Sequence, residues 1–259
     1  MLLAEPGKSH YDFSFNIFGF PVRVHPGFFI LPVVFGASGA GQAENPGAMI
    51  LIYIIVLFVS ILVHELGHAI AFRYYRIPSR IVLYWMGGLA IPESSVWGGK
   101  SRLTPYQQIV VSLAGPFAGF ILAALTVGVV LALNGKLVFM WGGMFPLLIP
   151  NMLGTAVEGN QSVFILLYSS LFFNLIWGAF NLMPVLPLDG GQVSRELCTL
   201  HSPHNGLKIA LMISVGVGGV LAFLGFVNKD HFVGILFAIL AIQSWQTLQQ
   251  MNYRGGGRW

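Results

Sequence analysis

The stretch SILVHELGHAI, residues 60–70, is the part of the sequence on which the interpretation of this chain depends. Apolar residues flank it on both sides, as in a helix that crosses a membrane. Three ionisable side chains nevertheless lie inside the apolar run, namely His64, Glu65 and His68. An ionisable group inside a membrane span costs roughly 2.5–3.5 kcal/mol unless it is paired or bound, so three such groups together indicate a chemical role.

The spacing of these residues favours a metal site. His64 and His68 are four residues apart, so both imidazoles project from one face of a helix and can reach one ion. Zinc accepts imidazole ligands in a tetrahedral site with one open position. Glu65 can reach a water molecule at the metal without binding the metal, which is the position of a general base. The alternative, a polar stripe packed between helices, explains three ionisable groups in this order less well.

Composition excludes most other classes of protein. Of the 259 residues, 56% are hydrophobic and 8% are charged, and the mean hydropathy is +0.76, whereas soluble domains carry roughly a quarter charged residues. The single cysteine, Cys198, excludes an internal disulfide and a cysteine-based zinc site. The net charge of +4 is not clustered into a stripe, so no nucleic-acid partner is predicted.

Apolar segments predict a polytopic membrane protein. A bilayer core of about 30 Å needs around 20 apolar residues in a helix. Five clear spans and a short first one are predicted at 26–41, 47–75, 105–134, 161–183, 205–227 and 231–252. The stretches 13–25, 79–96 and 137–157 are too broken to span, and the first two contain strand-like segments around glycine turns. The predicted fold is all-α, with about six transmembrane helices and small membrane-embedded β-hairpin elements, in one domain covering 1–259.

The positive charges agree with this set of spans. If the N-terminus is cytoplasmic and six spans alternate, only Lys136 and Lys229 of the 13 Lys and Arg fall on the far side. The other eleven fall on the cytoplasmic side, as the positive-inside rule predicts. These are Lys8, Arg23, Arg73, Arg76, Arg80, Lys100, Arg102, Arg195, Lys208, Arg254 and Arg258. Both termini and the histidine pair are therefore predicted to lie toward the cytoplasm.

A third metal ligand is sought outside the second span, and Asp189 is the strongest candidate. It lies in FNLMPVLPLDGGQ, residues 180–192, directly after the fourth span. Two prolines stop a regular helix there, and two glycines permit an irregular turn. A carboxylate in a broken apolar loop is unusual without a partner. The alternative is that Asp189 is only the N-cap of a helix at about 190–201.

HELGH in the second span together with NLMPVLPLDGG after the fourth resembles the site-2 protease family of intramembrane zinc metalloproteases. SLAGPFAG (112–119), LYWMGGLA (83–90) and FNIFGFPVRVHPGF (15–28) also resemble elements of that family, in the same order. The resemblance implies that His64, His68 and Asp189 bind one Zn²⁺ per chain and that Glu65 is the catalytic base. It also places Asn181 in the family's F-N-x-x-P element.

Two positions depart from the family pattern. Gly119 stands where Asn is frequent, and Gln192 stands where Arg is frequent. Neither replaces a ligand, so the departures concern substrate contacts rather than the metal. The loop of about 26 residues before the fourth span and the end of the chain at Trp259 lead us to expect the short form, without a PDZ or CBS domain.

The expected substrate is a transmembrane helix of another protein, which has to unwind locally before a peptide bond can be attacked. The hairpin 79–96 could offer it a strand edge by β-augmentation. Gly87 and Gly88 would then form a turn near the metal, or simply a loop turn. Asn181 could orient substrate or the oxyanion. Asn174, seven residues earlier and on the same helix face, is expected to make an interhelical hydrogen bond.

Other functions remain open at this stage. A membrane metal transporter would need polar groups along a whole path, but the ionisable residues cluster at one depth. A membrane iron hydroxylase would need several histidine clusters. A catalytically inactive relative that binds membrane segments would not need all of His64, Glu65, His68 and Asp189. The expected location is a bacterial or archaeal cytoplasmic membrane, and a regulatory membrane partner is compatible with the sequence.

Overall fold

Five helices within the described residues are long and apolar enough to cross a membrane, and each matches a predicted span. They are Pro46–Tyr74, Pro105–Ala132, Gln161–Asn181, Gly206–Val227 and His231–Met251. A shorter apolar helix, Pro26–Ser38, matches the predicted short span. The chain is therefore an integral, multi-pass membrane protein. On the third span, the exposed stripe Phe117, Ile121, Leu125 and Val129 recurs every four residues, as expected for a face that contacts lipid.

The structure is a computed structural model that describes residues 5–40, 44–93, 103–142 and 145–255. Lys100, Arg102 and Arg258, which were counted in the charge distribution, lie outside the described residues. The elements in chain order are β1 Phe13–Ile17, β2 Phe20–Val24, a 3-10 helix Pro26–Phe29, α1 Ile30–Ala40, α2 Pro46–Tyr74, β3 Ser79–Tyr84, β4 Gly87–Pro92, α3 Pro105–Ala132, β5 Lys136–Gly142, β6 Phe145–Asn151, α4 Gln161–Phe172, a π-helical segment Phe173–Trp177, α5 Gly178–Asn181, α6 Asp189–His201, α7 Gly206–Val227 and α8 His231–Gly255.

Local side-chain caps set several helix starts. Thr104 Oγ1 accepts from the Gln107 amide at 3.3 Å, and Gln107 Oε1 accepts from the Thr104 amide at 2.9 Å. This reciprocal pair is a capping box, and it confirms the predicted start of α3 with Pro105 as its first helical residue. Asn45 caps α2 in a similar way, by accepting from the Ala48 amide at 3.0 Å.

The two strand-like stretches combine into one four-stranded sheet in the order β1-β2-β3-β4. The outer pairs are antiparallel hairpins, and the central pair, β2 and β3, is parallel. One face of this sheet packs on α2, where Val22 and Leu83 form a core with Leu66. The sheet is thereby attached along the helix that carries the histidine pair.

The predicted turn at Gly87 and Gly88 is placed two residues too late. Tyr84 pairs with Gly87 and Leu83 with Gly88, so the turn consists of Trp85 and Met86, and both glycines lie in β4. Strand pairing decided this, because a glycine in a strand and one in a turn look alike in sequence. The stretch 137–157, which was described only as broken and apolar, forms the hairpin β5–β6.

The chain divides into two compact units. The first comprises residues 1–102, 114–140 and 147–178, and contains the four-stranded sheet, α2 and α4. The second comprises residues 103–113, 141–146 and 179–259, and contains α6, α7 and α8. Within the second unit, Gly225 lies against the backbone of Gly234, so α7 and α8 approach closely at that point. The single domain over 1–259 stays a prediction.

Candidate metal centre

The two histidines of α2 are buried and adjacent. His64 is 4% exposed and His68 is 7% exposed, and their Nε2 atoms lie 3.2 Å apart. Two nitrogen ligands of one tetrahedral zinc ion, each about 2.0–2.1 Å from the metal, are about 3.3 Å apart. The spacing of the imidazole nitrogens therefore fits joint coordination of one zinc ion.

A glycine of α3 makes room for the imidazoles. A Cβ added at Gly115 would overlap Nε2 of His68 and would lie 2.8 Å from Nε2 of His64. The space in front of both nitrogens therefore depends on the absence of a side chain at this position. Sequence analysis had included Gly115 only within the SLAGPFAG element, because no local pattern tells which residues a glycine faces.

Glu65 lies beside the histidine face of α2, because one residue along a helix turns the side chain by about 100°. Its side chain contacts the sheet at β4. A Cβ added at Gly88 of β4 would lie 2.6 Å from Glu65 Oε1 and 2.7 Å from its carboxyl carbon. Gly88 therefore contacts the carboxylate of Glu65, which is 5% exposed, and its predicted nearness to a metal stays a prediction.

Tyr84 is a residue that sequence analysis missed. It is the last residue of β3, is 2% exposed, and its hydroxyl has no hydrogen-bond partner among the described residues. Burial raises the pKa of Tyr84 to about 12, and the charge of Glu65 acts in the same direction. The hydroxyl therefore remains a hydrogen-bond donor at neutral pH. Its position after a run of apolar strand residues was the only available signal.

Two contacts fix α2 against its neighbours. A Cβ at Gly67 would overlap the carbonyl oxygen of Ala114, so α3 approaches α2 closely at this glycine. Asn174 Nδ2 donates to Ser60 Oγ at 2.9 Å, which confirms the expected interhelical hydrogen bond. Ser60 lies one turn before His64 on the same face of α2, so this bond holds the histidine face in place.

Asp189 lies in the second unit, at the start of α6. The N-cap of this helix is Leu188, and Asp189 is its first helical residue, so the N-cap alternative is wrong. The preceding loop is held by hydroxyl groups: the Leu186 amide donates to Ser214 Oγ at 3.0 Å, and Ser244 Oγ donates to the Leu186 carbonyl at 3.5 Å. In this segment without regular structure, the amide and carbonyl of Leu186 are thus satisfied by α7 and α8.

Asn181 and Gly87 are the remaining residues with a predicted role toward substrate. Asn181 is the last residue of α5 and is half-buried. Asn174 lies within the π-helical segment Phe173–Trp177, so the regular α-helical spacing assumed between Asn174 and Asn181 does not hold. Gly87 has φ +120°, which favours glycine, and a Cβ there would lie 3.1 Å from the Trp177 ring. The roles of Asn181 and Gly87 toward a substrate stay predictions.

The family model described as Peptidase family M50 matches residues 52–224 of this chain. These residues include HELGH and the Asp189 loop. This chain belongs to peptidase family M50.

Relatives and a solved structure agree with this M50 assignment. The chain is 29% identical over 212 residues to zinc metalloprotease MJ0392 of Methanocaldococcus jannaschii. The matched region is 81% of this chain and 51% of the relative. It is 32% identical over 246 residues to the zinc metalloprotease sll0528 of Synechocystis sp. That matched region is 88% of this chain and 57% of the relative. The chain thus spans about half the length of these curated relatives. The site-2 protease from Methanocaldococcus jannaschii has the same fold, with a TM-score of 0.56, 23% identity, and coverage of 92% of this chain and 95% of that one.

Proposed function

We propose that this chain is an intramembrane zinc endopeptidase that hydrolyses a peptide bond within or near a transmembrane segment of another protein. One observation carries the proposal: two buried imidazole nitrogens lie 3.2 Å apart on a helix long and apolar enough to span a membrane. Membership of peptidase family M50 supports it. A transporter is less well supported, since Glu65 beside the pair and facing β4 has no evident part in metal passage.

The proposed ligands are His64, His68 and Asp189, as the family motifs in the sequence imply. Two imidazoles and one carboxylate match the ligand set of catalytic zinc sites, which keep a fourth position open. Zinc in such a site lowers the pKa of a coordinated water toward about 7 and polarises a carbonyl group. The hydroxyl-held loop before Asp189 supports the assignment, because it limits the positions that the carboxylate can adopt.

Glu65 is the proposed general base. Its carboxylate accepts a proton from the attacking water as the oxygen bonds to the scissile carbonyl carbon. It then delivers that proton to the leaving nitrogen as the C–N bond breaks. Burial of the Glu65 side chain keeps bulk water from competing for the proton. The protonated hydroxyl of Tyr84 can donate a hydrogen bond in the same region without acting as a base.

The proposed partner is a transmembrane substrate protein in the lipid bilayer. In the four-stranded sheet, β4 is an edge strand, and Gly88 within it lies against Glu65. A locally unwound substrate that pairs with β4 would run its amide bonds past this carboxylate. Asn181 is proposed to orient the substrate or the oxyanion. A regulatory membrane partner could control access, and a cytoplasm-facing site in a bacterial or archaeal cytoplasmic membrane is proposed from the positive charges.

The test is cleavage of tagged single-span proteins by the purified full chain in detergent, with a chelator and with zinc restored. We expect the chelator to abolish cleavage and zinc to restore it. Glu65→Gln should lower the cleavage rate about 10²–10⁴-fold while bound zinc stays at one per chain. His64→Ala should lose both zinc and cleavage, and Glu44→Gln, an exposed acid away from the site, should change neither.

The outcomes separate the alternatives. If this chain is an inactive relative, the wild-type chain will cleave none of the tested substrates. A transporter would move zinc into proteoliposomes and would keep that transport in Glu65→Gln. Cleavage that persists undiminished in Glu65→Gln or in the presence of chelator would overturn the proposal.

A further inference from the structure

The C-terminal end of α2 borders a pocket that is separate from the histidine pair. Its volume is about 410 Å³. The charged residues that line it are Arg73, Arg76 and Glu93, and Ser79 is among its other lining residues. All of these residues belong to the first unit.

Arg73 and Arg76 form no ion pair within the described part of the chain. Among the described residues, neither guanidinium has a carboxylate partner, in contrast to Arg23 and Arg80, which both pair with Glu5. Arg73 is nevertheless held in place, because its guanidinium carbon lies 3.6 Å from the centre of the Phe20 ring. A positioned guanidinium without a carboxylate offers its donors to an external anion.

Ser79 supplies an independent observation. It is 4% exposed, and its hydroxyl has no hydrogen-bond partner among the described residues. A buried hydroxyl without a partner is destabilising, so such groups normally have one in the functional state. An anion in this pocket would provide an acceptor for it.

The backbone at Arg76 points in the same direction. Arg76 has φ +60°, and it ends α2 in a Schellman motif, in which its amide donates to the Arg73 carbonyl and the Ile77 amide donates to the Phe72 carbonyl. Glycine is the favoured residue at this position, since a Cβ is strained there. An arginine in a backbone conformation that favours glycine is consistent with a role for its side chain.

The length of α2 sets the depth of this pocket. A helix of 29 residues is about 43 Å long, close to the 40–45 Å thickness of a bilayer with its headgroups. The end of α2 therefore lies at headgroup level, where phosphate groups are concentrated. We propose that the pocket of Arg73, Arg76 and Ser79 binds a phosphate group, that of an anionic phospholipid headgroup. Glu93 also lines the pocket, and its negative charge opposes anion binding, so the two arginines have to outweigh it.

This proposal does not depend on the proposed function. The test titrates the purified full chain with short-chain phosphatidylglycerol and, separately, with inorganic phosphate. We expect Arg76→Gly and Arg73→Gln each to weaken phosphatidylglycerol binding about tenfold or more, because each removes charge-assisted hydrogen bonds. Arg80→Gln, which removes the same charge from a residue outside the pocket lining, should leave the affinity within about twofold of wild type.

Arg76→Gly also separates binding from folding. Glycine relieves the backbone strain at this position, so the thermal midpoint should be maintained or raised while lipid binding falls. If only inorganic phosphate binding depends on the arginines, the phosphate site stands and its natural source is a soluble phosphate compound. If both Arg76→Gly and Arg73→Gln bind phosphatidylglycerol and phosphate as wild type does, the proposal is overturned.

Discussion

The two regions that carry the proposed metal ligands are built by different means. Residues 60–68 form regular helix, and the face that bears His64 and His68 follows from the 3.6-residue repeat alone. Residues 182–188, before Asp189, have no regular structure, and the amide and carbonyl of Leu186 within them bond to hydroxyls of α7 and α8. The first region is ordered by local geometry and the second by tertiary contacts. Substitutions that add atoms next to the histidines or Glu65 should therefore impair the first region. Substitutions that remove a single hydrogen bond should impair the second.

Among changes outside the proposed ligands and base, the largest effect is expected from Gly88→Ala, which acts on Glu65 of the helical region. The added methyl would overlap the γ-carbon of Glu65 as well as its carboxylate, so the carboxylate has to move. A displacement of about 1 Å can cost about 10²-fold in rate, and we expect that loss in the cleavage rate with zinc retained. Gly47→Ala is the control, because Gly47 lies at the start of α2, the helix that carries Glu65. Its added methyl would lie at an ordinary contact distance of 3.6 Å from Asn45. An unchanged rate in Gly88→Ala would remove Gly88 from the site.

Gly115→Ala should act on the metal itself. Its methyl would occupy the space in front of both imidazole nitrogens. We expect zinc affinity to fall about 10–100-fold, the range found when groups supporting metal ligands are altered. Competition with a chelator of known affinity measures it. Gly128→Ala, on the same helix with nothing within 4 Å of the new methyl, should bind zinc as wild type does.

The loop region should respond to Ser214→Ala. This change leaves the part-buried Leu186 amide without its acceptor, at a cost of about 0.5–1.5 kcal/mol. We expect a lower free energy of unfolding and weaker zinc binding together, because the loop leads directly into Asp189. Ser38→Ala, which removes a hydroxyl that bonds only to the carbonyl of Phe35 in its own helix, is the control. Lower stability with normal zinc affinity would separate this loop from the metal.

The smallest effect is expected at the bond between Asn174 and Ser60. Interhelical hydrogen bonds in membranes contribute about 0.6 kcal/mol on average, so Asn174→Ala and Ser60→Ala should show a coupling energy of about that size. A double-mutant cycle on the free energy of unfolding measures the coupling. A coupling near zero would mean that α2 is held against α4 by apolar packing alone.

Sequence analysis located the spans well because each is set by local properties. The predicted spans begin within a few residues of the observed helices, and the capping box at Thr104 marks one start directly. The turn of the β3–β4 hairpin was misplaced because strand register depends on the partner strand. The hairpin β5–β6 was missed because its apolar residues show no clean alternation.

The sequence by itself determined the membrane-spanning helices, the common face of His64 and His68, and the adjacent Glu65, because all of these follow from composition and the helical repeat. Only the tertiary structure decided that Gly115 faces the imidazoles, that Gly88 faces Glu65, and that Ser214 holds the loop before Asp189. It also decided that two arginines at the end of α2 line one pocket with a buried hydroxyl. Such contacts join residues far apart in the chain, and their geometry comes from packing, which leaves no periodic signal in the sequence.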